Sequence, residues 1–462
     1  MTEMIHASPT KRFFVSMLTR DIELEDAILD LLDNCIDGIL RTHTVAETPT
    51  PYDSYFANIE FDREHFKIED NCGGIPYKLA TEYAFMMGRP HDENDTDIPT
   101  VGMYGIGMKR AMFKMGRESS VYSSTEKDSF SVSISPGWLE TDSDWELPLE
   151  HMDSSLGEAG TIIEVKSLQE GIAQRFDSKS FHADMETLIR THYSFIIQKG
   201  FQISINGTEV KPRLTGLLMS PSSTPEDERI MPYVFKGNFD DVEINLAVGF
   251  FRPMPNLEEL DEEQITRRSK DDAGWTIACN DRVVVFNDKT RLTGWGESGV
   301  PSYHSQFIGI TGIVHFKCND AWKLPMTTTK RGVDTSSELY MFVKDLMKEG
   351  MKRFTQYTNK WKPEAEKERA MSSAAKLTSF GEMFSLEVNE KWTALKGGNG
   401  ARLIPDLPKP KAAPVHTRQI KFARHIKEIE MVSDHLFGVL DVPPSEVGEK
   451  CFDIILEQAH QS

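Results

Sequence analysis

Asp30, Asn34 and Asp37 recur at steps of four and three residues in the stretch 21–41, DIELEDAILDLLDNCIDGILR. On a helix those steps stack the three side chains along one ridge, with Asp33 beside them. A second group is Glu69-Asp70-Asn71-Cys72-Gly73-Gly74-Ile75-Pro76. A carboxylate at a strand end beside paired glycines suits a ligand's amino group, because glycine lets backbone and ligand approach closely. A third is Val101-Gly102-Met103-Tyr104-Gly105-Ile106-Gly107-Met108-Lys109-Arg110. Here glycines meet the start of a helix that carries a lysine in its first turns. Bare backbone N–H groups, a positive helix end and a mobile cation are chemistry for phosphate. Each group also has an ordinary reading on its own: a solvated acidic face, an Asx turn, a glycine turn.

The elements that must position these residues follow from periodicity. Leu24, Ala27, Ile28, Leu31, Leu32, Cys35, Ile36 and Ile39 repeat at helical steps, so 21–41 is expected to be one amphipathic helix. Asp21 is the expected N-cap, with Glu23, Glu25 and Asp26 in the first turn where the dipole favours them. Strands are expected at 55–61 and 65–68 around the turn Asp62-Arg63-Glu64, the second leading into Asp70. Residues 78–87 read as helix, and the polar segment 88–100, GRPHDENDTDIPT, which carries Pro90 and Pro99 and has no periodicity, reads as a mobile lid hinged at Gly102. Strands at 119–124, 130–135 and 160–165 and a helix over 181–199 complete the region. The glycine spacing at 102–107 is neither a P-loop nor the Rossmann order. Ahead of the helix, Phe13, Phe14, Val15, Met17 and Leu18 fit either a strap over the same domain or an arm crossing to a second subunit.

Composition sets outer bounds. A chain of 462 residues implies two or three domains, and 39% apolar residues supply a core. A net charge of −20 argues against broad non-specific binding to nucleic acid or acidic membranes. Cys35, Cys72, Cys279, Cys318 and Cys451 have neither disulfide-framework nor zinc spacing, which suits reduced thiols and a cytoplasmic location. The N-terminus lacks a signal-peptide core, and no run reaches the length of a membrane span.

Taken in order, the acidic residue followed by Asn34 and Asp37, then DNCGGI, then GMYGIGMK, then Gly160-Thr161 before a strand resemble the four nucleotide-binding motifs of the GHKL ATPases. That superfamily includes gyrase, heat-shock chaperones, histidine kinases, MutL and MORC, and the segment GMYGIGMKRAMFKMG is most similar to the MORC and MutL branch. The resemblance spans about residues 12–165. It implies ATP and magnesium as ligands. Asn34 would then ligate the metal, and Asp30 would stand where a glutamate usually activates water. Asp70 would accept from the adenine amino group, beside Gly74 and Thr161, with Asp37 propping the loop or base edge. Gly102, Gly105, Gly107 and Lys109 would hold the phosphates. Two departures stand out: Asp30 is one methylene short of glutamate, and Cys72 occupies a usual glycine position, leaving Gly73 to serve one residue later.

Downstream, strands are expected at 202–205, 242–251, 275–286 and 308–316, with an exposed loop at 220–228. The loop 324–332, LPMTTTKRG, resembles the transducer loop of the same superfamily, where a lysine reaches back to the γ-phosphate; Lys330 matches it. Lys352, Arg353, Lys360, Lys362, Lys367, Arg369 and Lys376 are interleaved with Phe354, Tyr357 and Trp361, which allows either a charged helix exterior or nucleic-acid contact by charge and stacking. The expected fold class is α+β: a Bergerat-type ATPase sandwich, that is a mixed sheet covered by helices, then a βαβ transducer domain and a helical C-terminal tail. The expected divisions are an ATPase domain at 1–200, a transducer at 201–345, a helical extension at 346–400, a proline-rich linker at 401–416 and a helical docking module at 417–462. The resemblance implies an ATP-hydrolysing protein that homodimerises on ATP binding and acts on double-stranded DNA or a partner complex. Restriction or phage defence is the setting of its bacterial relatives. The other function class is a nucleotide-gated scaffold that scarcely hydrolyses ATP. No membrane partner is expected.

Overall fold

Apolar residues at three- and four-residue steps decide where the first long helix lies. Leu24, Ala27, Ile28, Leu31, Leu32, Cys35, Ile36 and Ile39 are all buried in one core. The computed structural model describes residues 10–42, 48, 50–86, 106–142, 145–152, 159–213, 216–255, 272–327, 329–395, 400–410 and 420–461. Two helices open the chain, Lys11–Arg20 (α1) and Leu24–Thr42 (α2). Asp21 closes α1 rather than capping α2, because the chain breaks between the two helices at residues 21–23. Thr10 caps α1 by accepting from Phe13 N. Lys11 is buried, donates to Trp138 O at 2.8 Å and lies 3.6 Å from the centre of the Trp138 ring, so α1 straps the chain's own first half.

The first sheet has eight strands: Phe56–Phe61 (β1), Phe66–Asp70 (β2), Gly116–Ser124 (β3), Ser129–Ile134 (β4), Leu149–His151 (β5), Gly160–Leu168 (β6), Gln202–Ile205 (β7) and Thr208–Glu209 (β8). Their order is β5-β4-β3-β6-β2-β1-β7-β8, and β1–β7 is the parallel pair. Burial in β1 alternates, with Ala57, Ile59 and Phe61 facing the core. The β1–β2 turn is held by Asp62, whose Oδ1 accepts from Glu64 N and His65 N at 2.7 and 3.0 Å. Residues 78–87, expected as a regular helix, begin as one α-turn, Tyr77–Leu79, and widen into a π-turn, Ala80–Ala84. The expected 181–199 helix is Lys179–His192 and Ser194–Gln198, broken at Tyr193.

The second sheet packs its own core, with order β13-β12-β14-β11-β10-β17-β16. Its strands are Tyr233–Phe239 (β10), Val242–Phe250 (β11), Gly274–Cys279 (β12), Arg282–Asp288 (β13), Ile310–Lys317 (β14), Trp392–Ala394 (β16) and Gly400–Leu403 (β17). Residues 275–286, expected as one strand, fold as the β12–β13 hairpin. Asn280 and Asp281 both take positive φ, 47° and 67°, as a tight two-residue hairpin turn requires. The parallel pair β12 and β14 is joined through β13 and two short 3-10 turns, Arg291–Thr293 and Ser305–Phe307, so the expected βαβ crossover is absent at that pair. The covering helix, Glu338–Trp361, comes after β14 instead and buries Val343, Met347, Met351 and Phe354.

The expected division of the following chain also changes. Residues 376–379 (β15) pair with Gly216–Met219 (β9), and β17 pairs with β10. Trp361 Nε1 donates to Pro408 O at 3.0 Å. The segment 346–410 is therefore part of the second layer rather than a helical extension and a free linker, because its apolar residues complete that sheet's core. Phe354, Tyr357 and Trp361 are buried there too, which removes them as stacking platforms for nucleic acid. Residues 1–410 form one unit and 411–462 another; the second holds two helices, Ile426–Phe437 and Pro444–Gln461. Among the described residues no helix is long and apolar enough to cross a membrane.

Candidate functional site

One end of the site forms where three backbones converge. Asp70 ends β2, paired with Ala57 of β1 and Thr161 of β6. The turn after it brings Gly74 to φ +70°, and a Cβ there would lie 2.1 Å from Ser124 O. Gly160 is as constrained: its Cβ would lie 2.0 Å from Asp70 O. Glycine is the residue that permits both approaches. Ser123 Oγ accepts from Ile75 N at 2.7 Å and lies 3.3 Å from Thr161 Oγ1, so hydroxyls and a carboxylate share this corner. Asp70 Oδ1 accepts from Cys72 N at 2.8 Å, and Oδ2 lies 3.4 Å from Cys35 Sγ. Burial pushes the Asp70 carboxyl up to about 6, against the pull of those donors. The same burial drives the Cys35 and Cys72 thiols well above their usual range, so both are unreactive.

Helix α2 crosses directly over this corner. Gly38 makes that possible, since a Cβ would meet Cys72 O at 2.5 Å. Toward its N-terminus the same helix meets the start of Gly107–Met115. A Cβ on Gly107 would sit 3.3 Å from Asp30 Cβ, so the second helix begins hard against Asp30. From Asp30 to Gly38 the rise is about 12 Å, at about 1.5 Å per residue. The helix therefore links the Asp70 corner to a helix N-terminus, whose free N–H groups are of the kind that suits an anion.

The acidic ridge of α2 is met by cations from elsewhere. Arg110 Nη2 donates to Asp30 Oδ2, and Arg331 pairs with Asp26. Lys330 Nζ donates to Asp33 Oδ2 at 2.6 Å and lies 3.4 Å from Asp30 Oδ1. Asp33 Oδ1 accepts from Arg282 Nε at 3.0 Å and from Tyr193 OH at 2.7 Å. Asp33 is 0% exposed, Arg282 2% and Lys330 7%. Burial opposes ionisation of Asp33, but Lys330 and Arg282 hold its carboxyl below the ordinary range. Burial likewise opposes the Lys330 charge, and Asp33 and Asp30 outweigh it, raising the lysine.

The expected residues thus fall into groups. Asp70, Gly74 and Thr161 meet at one corner. Asp30, Gly107 and Lys330 meet at the other end of the ridge. Asn34 lies one helical turn beyond Asp30 and is partly exposed; Asp37 is buried near the corner end of the helix. Lys109 is 2% exposed and donates to Ala84 O at 2.8 Å, and burial lowers it to about 8. Gly102, Gly105 and the expected lid 88–100 lie outside the described residues. Arg110, Arg282 and Tyr193 were not expected at the site, and Asp33 was expected as a neighbour of the ridge and the alternative to Asp30 as base. Arg282 carried one visible signal: it is a charge at the head of the apolar run Val283-Val284-Val285, directly after a turn. Among the described residues no group of three or more His, Cys, Asp and Glu is placed to hold a metal ion.

The donor set fits a magnesium nucleotide. The corner offers an acceptor and hydroxyls to a base, the helix start offers N–H groups to phosphate, and Asn34 offers a neutral oxygen to a hard cation. No curated protein matches the chain. Residues 22–168, about a third of the chain, match the family model described as Histidine kinase-, DNA gyrase B-, and HSP90-like ATPase, and this supports the GHKL ATPase superfamily, with its expected ATP binding, for the segment that holds both ends of the site.

Proposed function

We propose that the protein is an ATP-binding and ATP-hydrolysing switch in which nucleotide controls the link between its first and second halves. The observation that carries this reading is Lys330: a loop of the second half delivers its ammonium to Asp30 and Asp33 on the helix that bears Asn34. In this reading Asp70 accepts from the adenine amino group, with Gly74 and Thr161 alongside it. Gly102, Gly105 and Gly107 hold phosphates, with Asp37 propping the base edge, and Lys109 joins them by leaving its contact with Ala84 O. Magnesium, bound through Asn34, would neutralise phosphate charge. Asp30 takes the proton of the attacking water, a role for which it must exchange its contacts with Arg110 and Lys330. Lys330 moves from its carboxylates to the γ-phosphate, and only a triphosphate rewards that move.

On this basis ATP closes a homodimer that opens after hydrolysis. The client is double-stranded DNA or a partner complex, with restriction or phage defence as a setting; the spacing GMYGIGMK, similar to MORC and MutL, is the support for that finer placement. One observation favours the scaffold alternative: in the resting state both Asp30 oxygens are engaged, Oδ2 by Arg110 and Oδ1 by the nearby Lys330, so neither is open to a water. Steady-state turnover with and without double-stranded DNA separates the two readings. Measurable release of phosphate supports the enzyme, and tight ATP binding without turnover supports the scaffold. A non-hydrolysable analogue should produce dimers where ADP does not, and Lys330→Ala should bind ATP yet lose that response. Equal dimerisation by analogue and ADP would sink the switch.

A further inference from the structure

We propose that Arg282 is a positioning residue: it stays on Asp33 as a resident counter-ion so that Lys330 is free to leave. This rests on the reading of Lys330 as the γ-phosphate contact. The two oxygens of Asp33 are served separately. Oδ1 takes Arg282 Nε and Tyr193 OH, and Oδ2 takes Lys330 Nζ. Withdrawing Lys330 therefore empties one oxygen and leaves the other with its cation and its hydroxyl. A fully buried carboxylate stripped of every cation is strongly destabilising, whereas one that keeps an ion pair is not.

The two cations are also held differently. Arg282 opens β13 at a tight turn, donates through Nη1 to Val283 O at 2.9 Å and lies over the Tyr193 ring at 4.5 Å. Its planar fork is fixed on three sides, and the hairpin that bears it is docked by His192 Nδ1 at 2.6 Å from Val283 O and by Lys199 on Asp281. Lys330 sits instead in a loop closed by its own N–H to Thr327 O at 2.9 Å and by an isolated bridge between Met326 and Val333. Its φ is +55°, a conformation that costs a non-glycine residue energy. A flexible stem on a strained loop is the mobile partner, and a guanidinium built into a hairpin is the fixed one.

Removing Arg282 should consequently lock the switch rather than loosen it, because Lys330 becomes the last cation on Asp33. Arg282→Gln should lower the affinity ratio of non-hydrolysable analogue to ADP at least tenfold and slow amide hydrogen exchange across 327–334 in nucleotide-free protein. Arg282→Lys should restore the ratio, and Asp33→Asn with Arg282→Gln should restore it too, since only the longer Asp30 contact then holds Lys330. Asp33→Asn alone should speed exchange across 327–334 and raise the ratio, which keeps the idea testable if Arg282→Gln fails to fold. Lys330→Ala separates the two levels. If Lys330→Ala keeps the analogue preference, the sensor reading falls. If Lys330→Ala loses the preference while Arg282→Gln keeps both the ratio and the exchange rates of the parent, the role given to Arg282 is wrong and the sensor reading stands.

Discussion

Replacing Asp70 with asparagine should stabilise the nucleotide-free protein while weakening its grip on ATP. Asp70 is an acid whose burial raises it from 3.8 to about 6, although Cys72 N and Cys35 Sγ point at it. At about 1.36 kcal/mol per pH unit, that corresponds to roughly 3 kcal/mol against folding when the group is ionised. The sign follows from proton uptake. Between about pH 4 and pH 6 the folded protein binds the proton more tightly than the unfolded chain, so stability falls as pH rises through that window. The penalty is complete above about pH 6 and absent below about pH 4. Asparagine escapes it: its amide oxygen can still accept from Cys72 N. Urea denaturation should therefore find Asp70→Asn more stable by up to about 3 kcal/mol at pH 7.5, shrinking to about half of that at pH 5. The difference between the two proteins isolates Asp70 from other acids raised by burial, Asp26 and Glu368 among them. Calorimetric titration should show ATP binding about 10- to 100-fold weaker in the variant, the worth of a hydrogen bond to a charged acceptor. A variant no more stable than the parent at pH 7.5, or a gain that does not change with pH, would refute the account of this corner.

Other residues give sharper yes-or-no outcomes. Asn34→Ala should lose the magnesium dependence of ATP binding, measured by titration with and without chelator; an unchanged dependence moves the metal elsewhere. Asp30→Asn should bind ATP and lose turnover by roughly 10²- to 10⁴-fold, and an unaltered rate would shift the base to another group, with Asp33 the first candidate. Gly74→Ala should cost about 2–4 kcal/mol, since it adds left-handed strain and a Cβ 2.1 Å from Ser124 O. Gly171→Ala, with nothing within 4 Å of the added carbon, is its control and should be neutral or stabilising by up to about 1 kcal/mol. Equal melting of these two glycine variants would remove the steric argument.

Where the sequence was legible, one local rule decided the outcome. The helical repeat from Leu24 to Ile39 and the alternation of β1 reappear in the burial of those residues. Asp62 and its neighbours closed a hairpin by local hydrogen bonds. Boundaries failed where two rules competed. Asp21 has the chemistry of an N-cap, but a preceding helix claims it. Residues 275–286 have strand propensity throughout, and the turn at Asn280-Asp281 overrides it with two positive φ angles. The interleaved Phe354, Tyr357 and Trp361 looked available because basic residues surround them. Their helical spacing places them on the buried face of Glu338–Trp361 instead. Partners distant in the chain were the least visible: nothing local marks Arg282 for Asp33, which lies 249 residues earlier.

The acidic face of α2 gains a physical reason from those distant partners. A ridge of carboxylates is a poor neighbour for a triphosphate, because like charges close together in a low-dielectric site repel strongly. Asp26, Asp30 and Asp33 each meet a cation: Arg331, Arg110 with Lys330, and Lys330 with Arg282. Four cations thus face three carboxylates along the ridge, and a polyanion approaching the start of Gly107–Met115 meets carboxylates that are more than compensated. Asn34, neutral and partly exposed between Asp33 and Asp37, can then offer its oxygen to a metal without a competing ion pair. The carboxylates in turn hold their cations close to where phosphate would lie. Of those cations, Arg282 is fixed in a hairpin and Lys330 is carried by a strained loop, so the ridge stores one movable positive charge at the junction of the two halves. A ligand changes the balance between states only through contacts that differ between them. Lys330 is the cation here that a strained loop carries, and its departure leaves Arg110 on Asp30 and Arg282 on Asp33.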